Sequence, residues 1–186
     1  MKIKLNSPLV LGFVFLSLAA MILNIATGGA SNRLVFMTYR SSPGDPLTYV
    51  RFFGHVLGHS GWQHYIGNMT YILLLGPMLE EKYGAKRLLG VMACTALITG
   101  LVNYFFFPHV ALWGASGVVF AFILLTSFTS FRKGEIPITF ILVAVVYLGQ
   151  QVYDGLFVKD NISNMAHIVG GIVGAIFGYT MNRKRT

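Results

Sequence analysis

The chain has 186 residues, 55% of them hydrophobic and only 11% charged, with a mean hydropathy of +0.66 and a formal net charge of +8. Ordinary globular domains carry about 25% charged residues, so this composition excludes a soluble protein and points to a polytopic membrane protein, one domain over residues 1–186. The basic residues sit scattered at the ends of apolar runs, which argues against a nucleic-acid surface, and the one cysteine, Cys94, allows no intramolecular disulfide.

Met1-Lys2-Ile3-Lys4 precedes an apolar span from about Pro8 to Ala26. A secretory leader has a hydrophobic region of only about 7–15 residues, so this longer span reads as a retained first helix. Gly28 to Gln63 reads as a long loop, a length that is usually functional or disordered beyond about 12–15 residues. Its Val35, Phe36, Tyr39, Phe52 and Phe53 place part of it in the membrane interface.

Five further spans are expected: His64 to about Lys82, about Leu88 to Phe107, Ser116 to Phe131, Ile136 to about Tyr153, and Met165 to Met181. Six spans place both termini on one side. Ten of the fourteen Lys and Arg residues fall on that side, and Arg33, Arg40, Arg51 and Lys159 fall opposite. By the positive-inside rule both termini are cytoplasmic. No internal repeat of the kind that builds transporters from duplicated halves is visible.

The fourth span opens with Trp113-Gly114-Ala115-Ser116-Gly117. Small residues at such spacing commonly let transmembrane helices pack closely, which is the plainer reading of this string. A serine at a helix amino end, however, lies beside unpaired backbone N–H groups and the positive end of the helix dipole. Sixteen residues separate Ser116 from Arg132, about 24 Å of helix, so the serine lies beneath the opposite surface of a hydrocarbon core about 30 Å thick.

Sixteen residues also separate His167 from Arg183 and His64 from Glu80. The three spans run in one direction, so Ser116, His167 and His64 fall at one depth to within about a helical turn. Ionisable groups inside a membrane are costly and usually face an interior or a water cavity. A lone histidine on an apolar face is more often a packed structural residue. A serine at the same depth changes that, because a hydroxyl is a poor nucleophile until a base takes its proton, and imidazole titrates near neutrality.

His64 and Asn68 share a helix face at i, i+4, with His59 just before them. Donors aimed at one point suit an oxyanion pocket, although Asn68 also fits a helix–helix hydrogen bond. Gly170, Gly174 and Gly178 form a stripe at four-residue steps, and Gly117 and Ala121 lie on one face of the fourth span. Close packing of these two faces brings His167 to Ser116. A metal site or transporter using His55, His59 and His64 is a rival, but no HExxH string occurs and no intramembrane carboxylate ligand is evident.

Together these residues resemble the rhomboid family of intramembrane serine proteases, over nearly the whole chain from Arg51 to Gly178. Gly114-Ala115-Ser116-Gly117 is similar to the family's GxSG motif, and Ala166-His167-x-x-Gly170-x-x-x-Gly174 to its AHxxGxxxG motif. His59-x4-His64-x3-Asn68 resembles its HxxxxHxxxN segment, and Gly76-x3-Glu80-x3-Gly84 its GxxxExxxG segment.

The resemblance implies an all-α six-transmembrane-helix bundle of rhomboid type, with a long loop between the first two spans and a water-filled cavity open to the outside. It implies a catalytic dyad of Ser116 and His167 with no orienting carboxylate. It implies an oxyanion site from His59, Asn68 and the Ser116 backbone N–H, with His64, Gly114, Phe120, Gly170 and Gly174 in support. The chain departs from the family at Val50-Arg51, where Trp-Arg is frequent, and at Phe120, where a tyrosine often stacks on the catalytic imidazole.

The expected activity is cleavage of transmembrane substrates near their extracytoplasmic ends, in the cell membrane, without cofactor, metal or nucleic acid. The alternative is a catalytically silent relative that binds membrane helices. Such a relative would keep the glycine faces but normally lose Ser116 or His167, and both are present.

Overall fold

The computed structural model describes residues 6–130, 138–157 and 161–183. Its α-helices are α1 (Pro8–Ala26), α2 (Pro46–Gly54), α3 (Trp62–Tyr83), α4 (Ala85–Phe106), α5 (Ser116–Ser127), α6 (Ile138–Phe157) and α7 (Asn161–Arg183). No strand occurs among the described residues, only an isolated bridge between Thr38 and Leu112. Among those residues Pro8–Ala26, Ala85–Phe106 and Asn164–Asn182 are long and apolar enough to cross a membrane.

The first span matches α1 at both ends. The Gly28–Gln63 loop is corrected: it contains a π-helical turn at Asn32–Phe36, α2, and a 3-10 turn at His55–Leu57. Asp45 caps α2 by accepting from the Leu47 N–H at 3.0 Å, and Pro46 at the first helical position has no N–H to leave unpaired. That Asp-Pro pair is a helix start rather than a loop signal.

The fourth span is also corrected. It is α-helical only to Ser127, tightens into a 3-10 turn at Phe128–Ser130, and its expected end at Phe131 lies outside the described residues. At about 1.5 Å per residue its α-helical part covers about 18 Å. Every residue from Gly117 to Leu125 is buried, so α5 is encased by the other helices and does not have to match the bilayer by itself. The fifth and sixth spans run on to Phe157 and Arg183, because a polar side chain marks a water boundary and does not stop backbone hydrogen bonding. Ile136, the expected start of the fifth, lies outside the described residues.

Two contacts set the arrangement around α5. On one side, α3 holds α1 through Gly76 and Glu80. A β-carbon at Gly76 would come within 2.7 Å of Val10, so glycine is what lets α1 approach. One turn on, the Glu80 carboxylate accepts from the Leu9 and Val10 N–H groups at 3.1 and 3.0 Å. These are orphan donors of the first turn of α1, and an anion there is favoured by the helix dipole. Gly84 then turns the chain into α4 with φ +83, a conformation that glycine adopts without strain.

On the other side, α7 lies directly on α5. A β-carbon at Gly170 would overlap the Gly117 carbonyl, and one at Gly174 the Ala121 carbonyl. At Gly178 it would meet the Phe128 ring at 2.5 Å. The glycine stripe read from sequence is therefore the α5–α7 interface. Asn182 closes its far end by donating to the Phe128 carbonyl and the Tyr83 hydroxyl, both at 3.0 Å.

Candidate active site

Ser116 is the first residue of α5, so its backbone N–H has no acceptor within the helix. The turn before it depends on Gly114, whose φ of +124 is a region that L side chains rarely adopt. The Gly114 N–H donates to the His55 carbonyl at 2.9 Å, and Leu112 exchanges two backbone hydrogen bonds with Thr38 at 2.9 and 2.8 Å. The segment between the first two spans thus braces the turn that presents Ser116, which is half-buried.

Arg51 holds that segment together. It donates to the Leu34 carbonyl at 3.0 Å, pairs with Asp45 at 3.1 Å and lies over the Tyr39 ring. Anchoring at this point therefore runs through the arginine, with Val50 exposed beside it.

The amino end of α3 faces Gly114. A β-carbon at Gly114 would come within 2.7 Å of His64 Cε1 and Nε2 and 3.7 Å of Asn68 Nδ2. His64 and Asn68 therefore converge on the turn before Ser116. His59 does not reach it in the same way. Its Nε2 lies 3.1 Å from Asn68 Nδ2 and its Nδ1 lies 3.1 Å from the Leu57 carbonyl. A carbonyl accepts and an amide NH2 donates, so Nδ1 carries the hydrogen and Nε2 takes the one from Asn68.

His59 is wholly buried, and its pKa is pushed down to about 4, chiefly by that burial and further by His64 beside it. It is a neutral ring with both nitrogens engaged. His55 is likewise lowered to about 4 by burial, while its Nε2 donates to the Ala96 carbonyl at 3.0 Å.

His167 is on α7, one turn before Gly170, and is half-buried. Its ring stacks on Phe120 with 4.4 Å between centroids and 7° between planes. Ala166 carries its carbonyl to within 3.4 Å of a β-carbon placed on Gly117. The structure thus brings His167 beside the first turn of α5, with Ser116 at the head of that turn.

Sequence reasoning gave Ser60 no role and considered His55 only for a rival metal site. Ser60 sits against His64, with its N–H 3.4 Å and its Oγ 3.2 Å from Nδ1. His55 supplies the carbonyl that holds Gly114. Backbone contacts of this kind leave no mark on residue type. A cavity of about 420 Å³, lined by Ser60, Gly61, Trp62, Gln63 and His64, opens at this end of α3. Among the described residues no three His, Cys, Asp or Glu side chains are grouped to hold a metal.

Comparison with known proteins identifies the family. The family model of the Rhomboid domain matches residues 46–184. Rhomboid-related protein 2 of Mus musculus is 32% identical over 158 residues, covering 74% of this chain and 52% of that protein, so the chain spans about half of that relative. Rhomboid protease GlpG of Haemophilus influenzae is 30% identical over 139 residues, covering 73% of this chain and 71% of that protein. Rhomboid protease GlpG of Yersinia pestis is 27% identical over 188 residues, with 96% and 65% covered. A match over most of the length, on the helices just described, means that this integral membrane protein belongs to the rhomboid family.

Proposed function

We propose that the chain is an intramembrane serine endopeptidase that cleaves transmembrane segments of membrane proteins near their extracytoplasmic ends. Ser116 is the nucleophile and His167 its base. The Ser116 hydroxyl proton passes to the imidazole as Oγ bonds to the scissile carbonyl carbon, whose oxygen becomes an oxyanion. Collapse of that adduct breaks the C–N bond, and the imidazolium returns the proton to the leaving amine. Water, deprotonated by the same imidazole, then releases the acyl group from Ser116.

The oxyanion is received by the Ser116 N–H, the Asn68 amide and the His64 ring. His64 is favoured over His59 because its ring edge lies against Gly114, whereas both His59 nitrogens are occupied. Each such donor can be worth about 10²–10³ in rate. His59 instead fixes the orientation of Asn68. No carboxylate is assigned to orient His167; the flat face of Phe120 does so.

The reading also takes six helices, α1 and α3 to α7, as membrane spans, with both termini cytoplasmic by the bias of basic residues. The substrate must unwind locally, because a helical peptide bond is shielded by its own turns. The observation that carries the proposal is the stacking of His167 on Phe120, one turn into the helix that Ser116 begins. Replacing Ser116 by Ala and, separately, His167 by Ala should abolish cleavage of a transmembrane reporter in reconstituted vesicles. Turnover retained in both variants overturns it.

A further inference from the structure

We propose that Ser60 is a positioning residue, which holds His64 in the tautomer whose Nε2 carries the hydrogen and so presents that N–H to the turn of Gly114 and Ser116. The inference rests on the reading of Ser116 as nucleophile.

A neutral imidazole has one N–H and one acceptor nitrogen. The Ser60 backbone N–H points at His64 Nδ1 from 3.4 Å, and an N–H can only donate. Nδ1 is therefore the acceptor. The Ser60 hydroxyl, 3.2 Å from the same nitrogen, then donates as well. The hydrogen of the ring is left on Nε2, the atom that a β-carbon at Gly114 would approach to 2.7 Å.

The choice of tautomer matters because the alternative is repulsive. With the hydrogen on Nδ1, Nε2 would turn a lone pair toward the position where negative charge develops. His64 lines the cavity together with Ser60, and water there can donate to or accept from an unheld imidazole nitrogen and leave both tautomers populated. Two donors from one residue remove that freedom. His59 does not compete, although its ring centroid is only 5.0 Å from that of His64, since both its nitrogens are engaged. His59 thus secures Asn68, and Ser60 secures His64.

Ser60 is exposed, so its replacement leaves the packed helices untouched. The test compares wild type, Ser60→Ala and Ser60→Thr on a transmembrane reporter in vesicles, with Ser116→Ala as the blank. A neutral hydrogen bond corresponds to about 3- to 10-fold in rate, so Ser60→Ala should lower kcat by about that factor with KM changed by less than about twofold. Ser60→Thr should keep wild-type kcat.

Nitrogen-15 NMR of histidine-labelled protein, with His64→Gln to assign the ring, should show Nδ1 unprotonated in wild type and a larger protonated fraction in Ser60→Ala, where only the weaker backbone donor at 3.4 Å remains. An unchanged kcat in Ser60→Ala, or a protonated Nδ1 in wild type, overturns the inference. Absence of any Ser116-dependent cleavage in wild type overturns the proposed function instead, and the spectrum then decides the tautomer alone.

Discussion

The rings of Phe120 and His167 lie face to face, 7° from parallel, on two helices that touch through glycine. A flat partner restricts the imidazole to one plane, which a base needs if its nitrogen is to meet a hydroxyl in line. A stacked aromatic pair is worth about 0.5–1.5 kcal/mol beyond its buried area. Phe120→Leu should therefore lower kcat about 3- to 10-fold, and Phe120→Tyr should keep it, measured on a reporter in vesicles. Wild-type turnover in the leucine variant would show that the stacking does not orient the base.

The α5–α7 contact leaves no room for a methyl group. Gly174→Ala would force the new carbon into the Ala121 carbonyl, and overpacking of this kind costs about 1–3 kcal/mol. Among the described residues nothing lies within 4 Å of a β-carbon added at Gly149 on α6. Gly149→Ala should therefore leave stability unchanged or raise it by up to about 1 kcal/mol through helix propensity. Reversible unfolding in mixed micelles measures both, and equal effects would disprove the glycine argument.

Glu80 is 7% exposed and serves two N–H groups of another helix at once. Glu80→Ala strands both donors and should destabilise the protein by about 2–6 kcal/mol, taking about 1–3 for each buried unsatisfied group. Glu80→Gln keeps one acceptor oxygen and should fall between alanine and wild type. A glutamine variant as unstable as the alanine one would mean that the charge, not the acceptor count, holds α1.

His55 and His59 both titrate near pH 4 when folded, against 6.5 unfolded. Between those values the unfolded chain binds protons that the folded chain refuses, so stability rises with pH through this window. Their contribution is complete above about pH 6.5 and is lost as pH falls toward 4. Thermal inactivation midpoints in detergent should decline over that interval, and His55→Gln should flatten the slope. A profile that is level from pH 7 to 4 would contradict the burial of these rings.

Much of the molecule can be read from residue order. Apolar run lengths record a bilayer's thickness, so the long apolar helices were located to within a few residues, whereas the short α2 inside the expected loop was not. The stripe of Gly170, Gly174 and Gly178 named the face of α7, because only a residue without a β-carbon permits backbone contact at every turn. Asp45 and Pro46, read from sequence as part of a long loop, instead cap and begin α2, because Asp45 accepts from the Leu47 N–H only once that turn has formed.

Division of labour among the histidines was a different matter. His55, His59 and His64 differ little in linear context, yet one holds its carbonyl to Gly114, one locks Asn68, and one turns its edge to the serine's turn. Which nitrogen carries a hydrogen depends on the donor or carbonyl that lies beside it, and several of those partners, the Leu57 and Ala96 carbonyls and the Ser60 N–H, are backbone atoms common to every residue. Spacing along the chain can gather such rings at one depth; only the packed helices assign each its partner, and with it its chemistry.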